Sequence, residues 1–204
     1  MKQNSENPFF GTYRTPFETP PFDQIETEHY EPAFDEGIRQ LDEEVRAIAD
    51  NAELPTFENT IVALERSGKL LDKVSSAFFN VLNAEADDEM MDISQRVSPK
   101  LSESSNNIYL NEKLFARVKS VYDQKEELHL PTEDARLLEK TFEAFSVRGA
   151  ALGSENKEKY RRLSSELSLL SLTFDQNALK DKNRYELLLT KENELEGLPE
   201  SIRE

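Results

Sequence analysis

The chain has 204 residues, 37% of them hydrophobic and 32% charged, and its 25 Lys and Arg against 41 Asp and Glu give a formal charge of −16. That size and composition suit a globular protein with one good core or two small ones, while the negative charge repels phosphate backbones and anionic lipid, so neither nucleic acid nor a membrane surface is expected as a partner. The lack of cysteine rules out disulfides, thiolate zinc sites and a cysteine nucleophile.

No segment approaches the roughly 20 apolar residues of a membrane span, and MKQNSENPFF has no apolar run of the kind a signal peptide needs. A cytoplasmic location is therefore expected, or a periplasmic one if an export signal has been removed.

Residues 1–26 read as an extended arm. Prolines at 8, 16, 20 and 21 alternate with Phe9, Phe10, Phe17 and Phe22, a mixture that disfavours helix. The aromatic content favours a strap buried over the helices above a proline-recognition ligand.

Residues 27–184 carry a helical period. Tyr30, Phe34, Ile38, Leu41, Val45 and Ile48 alternate spacings of four and three, and Pro32 places the helix start near residues 28–31. Residues 55–83 are expected to form one long helix and to organise the chain, with Phe57, Ile61, Leu64, Gly68, Leu71, Ser75, Phe78 and Leu82 in a single stripe. Thr56 is its expected N-cap, and Gly68, in mid-helix, is the expected point of close approach by a second helix.

A third helix opens at Asp87 and Asp88, buries Met90, Ile93, Val97 and Leu101, and is kinked by Pro99. Asn111 caps a fourth, with Leu114, Val118, Val121 and Tyr122 inward. A fifth follows Pro131 and Thr132, with Leu138, Phe142, Phe145 and Gly149 on one side. Ser154 is expected to cap a sixth, whose buried seam is Tyr160, Leu163, Leu167, Leu170, Phe174 and Ala178.

The period changes at Tyr185, where RYELLLT reads as a short strand with no partner, and residues 185–204 as that strand and a truncated helix start leading into missing sequence. The fold is therefore expected to be all-α: about six antiparallel amphipathic helices, an extended N-terminal arm and one short C-terminal strand. Apolar surface near residues 185–189 is expected to stay uncovered and to favour self-association.

Residues able to carry chemistry are sparse. His29 and His129 are a hundred positions apart, outside any metal-ligand spacing. Glu43 and Glu44, Asp87 and Asp88, and Glu126 and Glu127 are adjacent carboxylates that point apart on a helix, as solvated faces or caps do. There is no G-x-S-x-G elbow and no glycine-rich phosphate loop. No catalytic, cofactor-binding or metal-binding residue is assigned within the chain.

PPFDQIETEHYEPAFDEGIRQ, PTFENTIVALERSGKLLDKVSSAFFN, VSPKLSESSNNIYLNEKLFARV and YELLLTKENELEGLPES together resemble the N-terminal portion of the thimet oligopeptidase family of zinc metallopeptidases. The resemblance covers residues 7–204 in order, and NTIVALERSG and IYLNEKLFARV favour the peptidyl-dipeptidase branch over that of oligopeptidase A. It implies a mostly helical two-lobed enzyme that trims C-terminal dipeptides from oligopeptides. Its zinc would be held by an H-E-x-x-H helix and a downstream Glu. This sequence contains no H-E-x-x-H, so the resemblance implies a channel-wall role for these helices, with zinc ligands outside the chain. The rival expectation is a free-standing acidic helical scaffold that binds a basic partner.

Overall fold

The computed structural model describes residues 7–85, 87–189, 191 and 195–199. The fold is all-α, with six long helices and no strand among the described residues. Helix α1 (Tyr30–Ala49) is the element that the rest shares. Its first half buries Tyr30, Ala33, Phe34 and Gly37 and its second half Val45, Ile48 and Ala49, and these two ends belong to different hydrophobic clusters.

The first cluster joins α1 to the helices at Lys69–Glu85 (α3) and Asp88–Tyr109 (α4), through Val74, Ala77 and Phe78 and through Met90, Ile93 and Val97. Its centre is aromatic. Phe78 packs edge-on against Tyr30 and Phe34, with ring centroids 5.0 and 5.3 Å away. The second cluster joins α1 to Phe57 and Ile61 and to the helices at Glu112–Asp123 (α5) and Thr132–Val147 (α6). These helices contribute Leu114, Val118, Val121, Leu138 and Phe145.

Residues 55–83 are not one helix. Phe57–Val62 form a π-helical turn that runs into a single α turn, Ala63–Glu65 (α2), and the chain then breaks at residues 66–68 before α3 begins. The break falls where Gly68 has a φ of 77°, a left-handed conformation that side chains disfavour. It lets Phe57 and Ile61 enter one cluster and Phe78 the other. Glu44 accepts the Gly68 N–H at 2.7 Å, pairing a donor that would otherwise be left over at the start of α3.

Gly68 is thus a helix break, and the close crossing lies at Gly37 on α1. A methyl group there would stand 3.0 Å from both Cα and N of Leu71. Those are backbone atoms and cannot swing aside. Gly37→Ala is expected to cost about 1–2 kcal/mol despite alanine's better helix propensity, read as a lower urea midpoint.

The expected caps at Thr56, Asp87 and Asn111 are present. Thr56 Oγ1 accepts the Asn59 N–H at 3.1 Å while Asn59 Oδ1 accepts the Thr56 N–H at 2.8 Å. Asp87 accepts from Met90 at 2.8 Å and Asn111 from Leu114 at 3.0 Å. The helix α4 continues through Pro99 to Tyr109. Gly149 lies beyond α6 with a φ of 87°, terminating the helix instead of extending its stripe.

The last helix, α7 (Ser154–Arg184), has Gly153 at its N-cap, and Ser154 is already its first helical residue. The following residues 185–189 form no strand, since a strand needs a neighbouring backbone and none pairs with them among the described residues. Most of the expected truncated helix start lies outside the described residues.

The arm is only partly a buried strap. It folds into short 3-10 turns at Pro8–Phe10 and Pro16–Glu18, with a third at Thr27–His29 leading into α1. Phe9 is buried between Tyr30 and its neighbours, and Lys73 of α3 donates to the carbonyls of Phe9 and Gly11 at 3.0 and 2.6 Å. Phe17 is fully exposed and Phe22 half exposed, so these two rings do not bury as expected.

Candidate functional site

The surface that sets this molecule apart from a self-contained bundle is on α7. A helix turning about 100° per residue carries Leu163, Leu167, Leu170 and Phe174 along one line and Arg161, Ser164, Ser168 and Gln176 along the opposite one. The second line faces α4. Asn106 and Ser164 exchange hydrogen bonds at 3.0 and 3.2 Å, Arg161 donates to Asn107 at 2.9 Å, and Gln95 donates to Gln176 at 3.1 Å.

The apolar line faces solvent. Leu163, Leu167, Leu170 and Phe174 are 49%, 64%, 60% and 72% exposed, and Tyr185, Leu187 and Leu188 just beyond the helix are also exposed. From Leu163 onward the expected buried seam is therefore turned outward, while Tyr160 at its start lines the cleft against α4. Part of the reason lies on α4, whose facing side offers Ser98, Ser102, Ser105 and Asn106 beside Leu101 and Tyr109; the hydroxyl and amide groups there are satisfied by the serines of α7 and would be left unpaired by its leucines. A cleft of about 400 Å³ opens along this seam, closed at one side by Tyr109 and by Arg148, whose guanidinium lies 4.2 Å from the Tyr109 ring. At the start of α7, Lys157 is buried and pairs with Glu112 of α5 at 2.9 Å.

The titratable groups that the sequence singles out lie apart among the described residues. His129 is exposed with a φ of 46° in the loop before α6. His29 accepts the Glu26 N–H on Nδ1 at 2.9 Å, in a reciprocal cap at the entry to α1. Glu43 pairs with Arg39 at 2.6 Å, Glu44 holds the Gly68 N–H, Asp87 caps α4, and Glu126 and Glu127 are exposed in a turn.

Sequence reasoning overlooked that Glu26, Glu28 and His29 come together, with ligand atoms within 4.8 Å of one another. This is one imidazole, already engaged by backbone, beside two surface carboxylates. It does not match the two imidazoles on one helix face that hold a peptidase zinc. Among the described residues, this cluster does not fit that metal.

Among the groups with shifted titrations, Glu36 and Tyr13 stand out. Hydrogen bonds from Arg39, then from Gln40, hold the Glu36 carboxyl down to about 2. Burial, with a smaller contribution from nearby Tyr30, pushes the Tyr13 hydroxyl up to about 12. Tyr13 also lies under the Lys73 ammonium, 3.7 Å from the ring centre, so both features belong to the docking of the arm.

No family model matches the chain. Individual proteins do. The chain is 41% identical over 194 residues to dipeptidyl carboxypeptidase of Escherichia coli (strain K12), covering 95% of this chain and 28% of that protein. It is 41% identical over 175 residues to dipeptidyl carboxypeptidase of Salmonella typhimurium, covering 86% of this chain and 26% of that protein. Against Escherichia coli oligopeptidase A it is 27% identical over 187 residues, covering 92% of this chain and 28% of that protein. The chain belongs to the thimet oligopeptidase family.

Within the thimet oligopeptidase family it stands nearer the dipeptidyl carboxypeptidases than oligopeptidase A, in keeping with NTIVALERSG and IYLNEKLFARV. It corresponds to the N-terminal part of those relatives and spans a little over a quarter of their length. The outward stripe of α7 is therefore a surface of one part of a thimet oligopeptidase family protein.

Proposed function

We propose that this chain is the N-terminal, non-catalytic helical part of a zinc metallopeptidase that releases C-terminal dipeptides from oligopeptides, and that its helices form one wall of the substrate channel. The 41% identity to a dipeptidyl carboxypeptidase over 95% of the chain carries this reading. The donor chemistry described above supports the non-catalytic assignment, since the chain offers two distant histidines and no H-E-x-x-H. In the intact enzyme the zinc would polarise the peptide carbonyl and activate water, with its ligands and general base supplied by the remaining portion. These helices would contribute shape, narrowing access so that short peptides enter and folded proteins do not. The partners on this reading are oligopeptide substrates and that remaining catalytic portion.

The test is direct. The purified 204-residue chain, dialysed against zinc, is expected to bind no stoichiometric metal and to leave a blocked tripeptide uncut. The gene is expected to encode an H-E-x-x-H several hundred residues downstream of Glu204. Stoichiometric zinc together with tripeptide cleavage by the chain alone would overturn the assignment.

A further inference from the structure

We propose that the outward face of α7, formed by Leu163, Leu167, Leu170 and Phe174, is the docking surface for an apolar helix from the remaining portion of the same polypeptide. The inference rests on the reading of this chain as part of a longer peptidase, and it names the surface by which the two parts are joined.

Three observations carry it. The four side chains form one line with spacings of four, three and four along three turns of helix, the pattern that a single partner helix covers. Each is about half exposed or more, although α7 turns the opposite side toward α4, so the helix is already committed in orientation and cannot roll to hide them. Nearly three quarters of the length of the Escherichia coli relative lies outside the match, enough chain to supply the cover.

A second copy fits the surface less well. It would bring another sixteen net negative charges against the first, which opposes close approach. The polar α4–α7 seam then acquires a purpose. Hydroxyl and amide pairs, with Tyr160 and Leu101 beside them, orient α7 so that Leu163, Leu167, Leu170 and Phe174 stay on its outer side, which leaves that apolar line free for the rest of the protein.

The chain has no cysteine, so single thiols can report on each face without background. Leu167→Cys and Phe174→Cys, with Leu54→Cys as an exposed control on another surface, are placed both in the 204-residue chain and in a full-length chimera. In the chimera, this chain replaces the matched segment of the Escherichia coli dipeptidyl carboxypeptidase. Maleimide labelling is followed peptide by peptide in a mass spectrometer. In the chain alone all three thiols are expected to label at similar rates. In the chimera those at 167 and 174 are expected to slow by about tenfold or more while that at 54 is unchanged.

Equal rates at 167 and 174 in both proteins would overturn the proposal. So would protection in the chain alone that rises with its own concentration, since the occupant would then be a second copy. Should the chimera fail to fold, Leu167→Ser with Phe174→Ser in the chain alone still decides. A melting temperature unchanged within about 2 °C supports an uncovered docking face, and a larger fall shows that the face packs within this chain. A chimera that releases dipeptides but leaves both thiols exposed defeats the surface and spares the peptidase reading. One that protects them without releasing dipeptides does the reverse.

Discussion

Replacing Phe78 with alanine is expected to lower the unfolding free energy by about 3–5 kcal/mol, the largest loss of any single truncation in this chain. Phe78 is wholly buried and touches the rings of Tyr30, Phe34 and Phe79, the last at 5.2 Å. The alanine variant loses the apolar contacts and leaves a void. The surrounding atoms cannot collapse into it, because Gly37 and Leu71 already hold α1 and α3 backbone to backbone. Phe78→Leu, which keeps most of the volume, is expected to recover more than half of the loss. Urea unfolding followed by far-UV circular dichroism, with an unchanged denaturant slope, measures both.

Arg117→Met is expected to cost about 2–4 kcal/mol, and Arg117→Lys to recover only part of it. Arg117 is 7% exposed on α5 and pairs with no carboxylate among the described residues. Its guanidinium spans the connection between α1 and the π-helical turn, donating from Nη1 to the carbonyls of Asn51 and Glu53 at 2.8 and 2.9 Å. From Nη2 it donates to Asn59 Oδ1 at 3.0 Å. Asn59 in turn caps Thr56 and donates to Leu54.

Methionine keeps the aliphatic stem and removes all three donors. Lysine offers a point charge that cannot reach acceptors spread over such a fork. A lysine variant as stable as the wild type, by the same unfolding measurement, would show that charge matters here and geometry does not.

The parts of this structure legible in the sequence are those decided within a few residues. The α1 stripe and the caps at Thr56, Asp87 and Asn111 follow from side chains acting on their own backbone, so spacing suffices to find them. Gly68 was ambiguous because a glycine on an apolar stripe suits a close crossing as well as a helix break. What decided it was the placement of Phe57 and Phe78 in separate clusters, a tertiary fact.

The orientation of α7 was hidden for a related reason. Leu163, Leu167, Leu170 and Phe174 read as core from their own segment, and the polar groups across the seam on α4, which no local spacing reveals, pair with the other side of α7. Arg117 carried no local signal at all, since its acceptors lie more than fifty residues away in sequence. Gly37 could have been found, being the one glycine on the α1 stripe side flanked by buried Phe34.

Because α1 passes through both clusters as a single rod of 20 residues, the two cannot come apart one at a time. Loosening the aromatic end frees the same helix that anchors the aliphatic end, so the penalty of opening either is shared by both. What looks like two small cores is expected to unfold as a single cooperative unit.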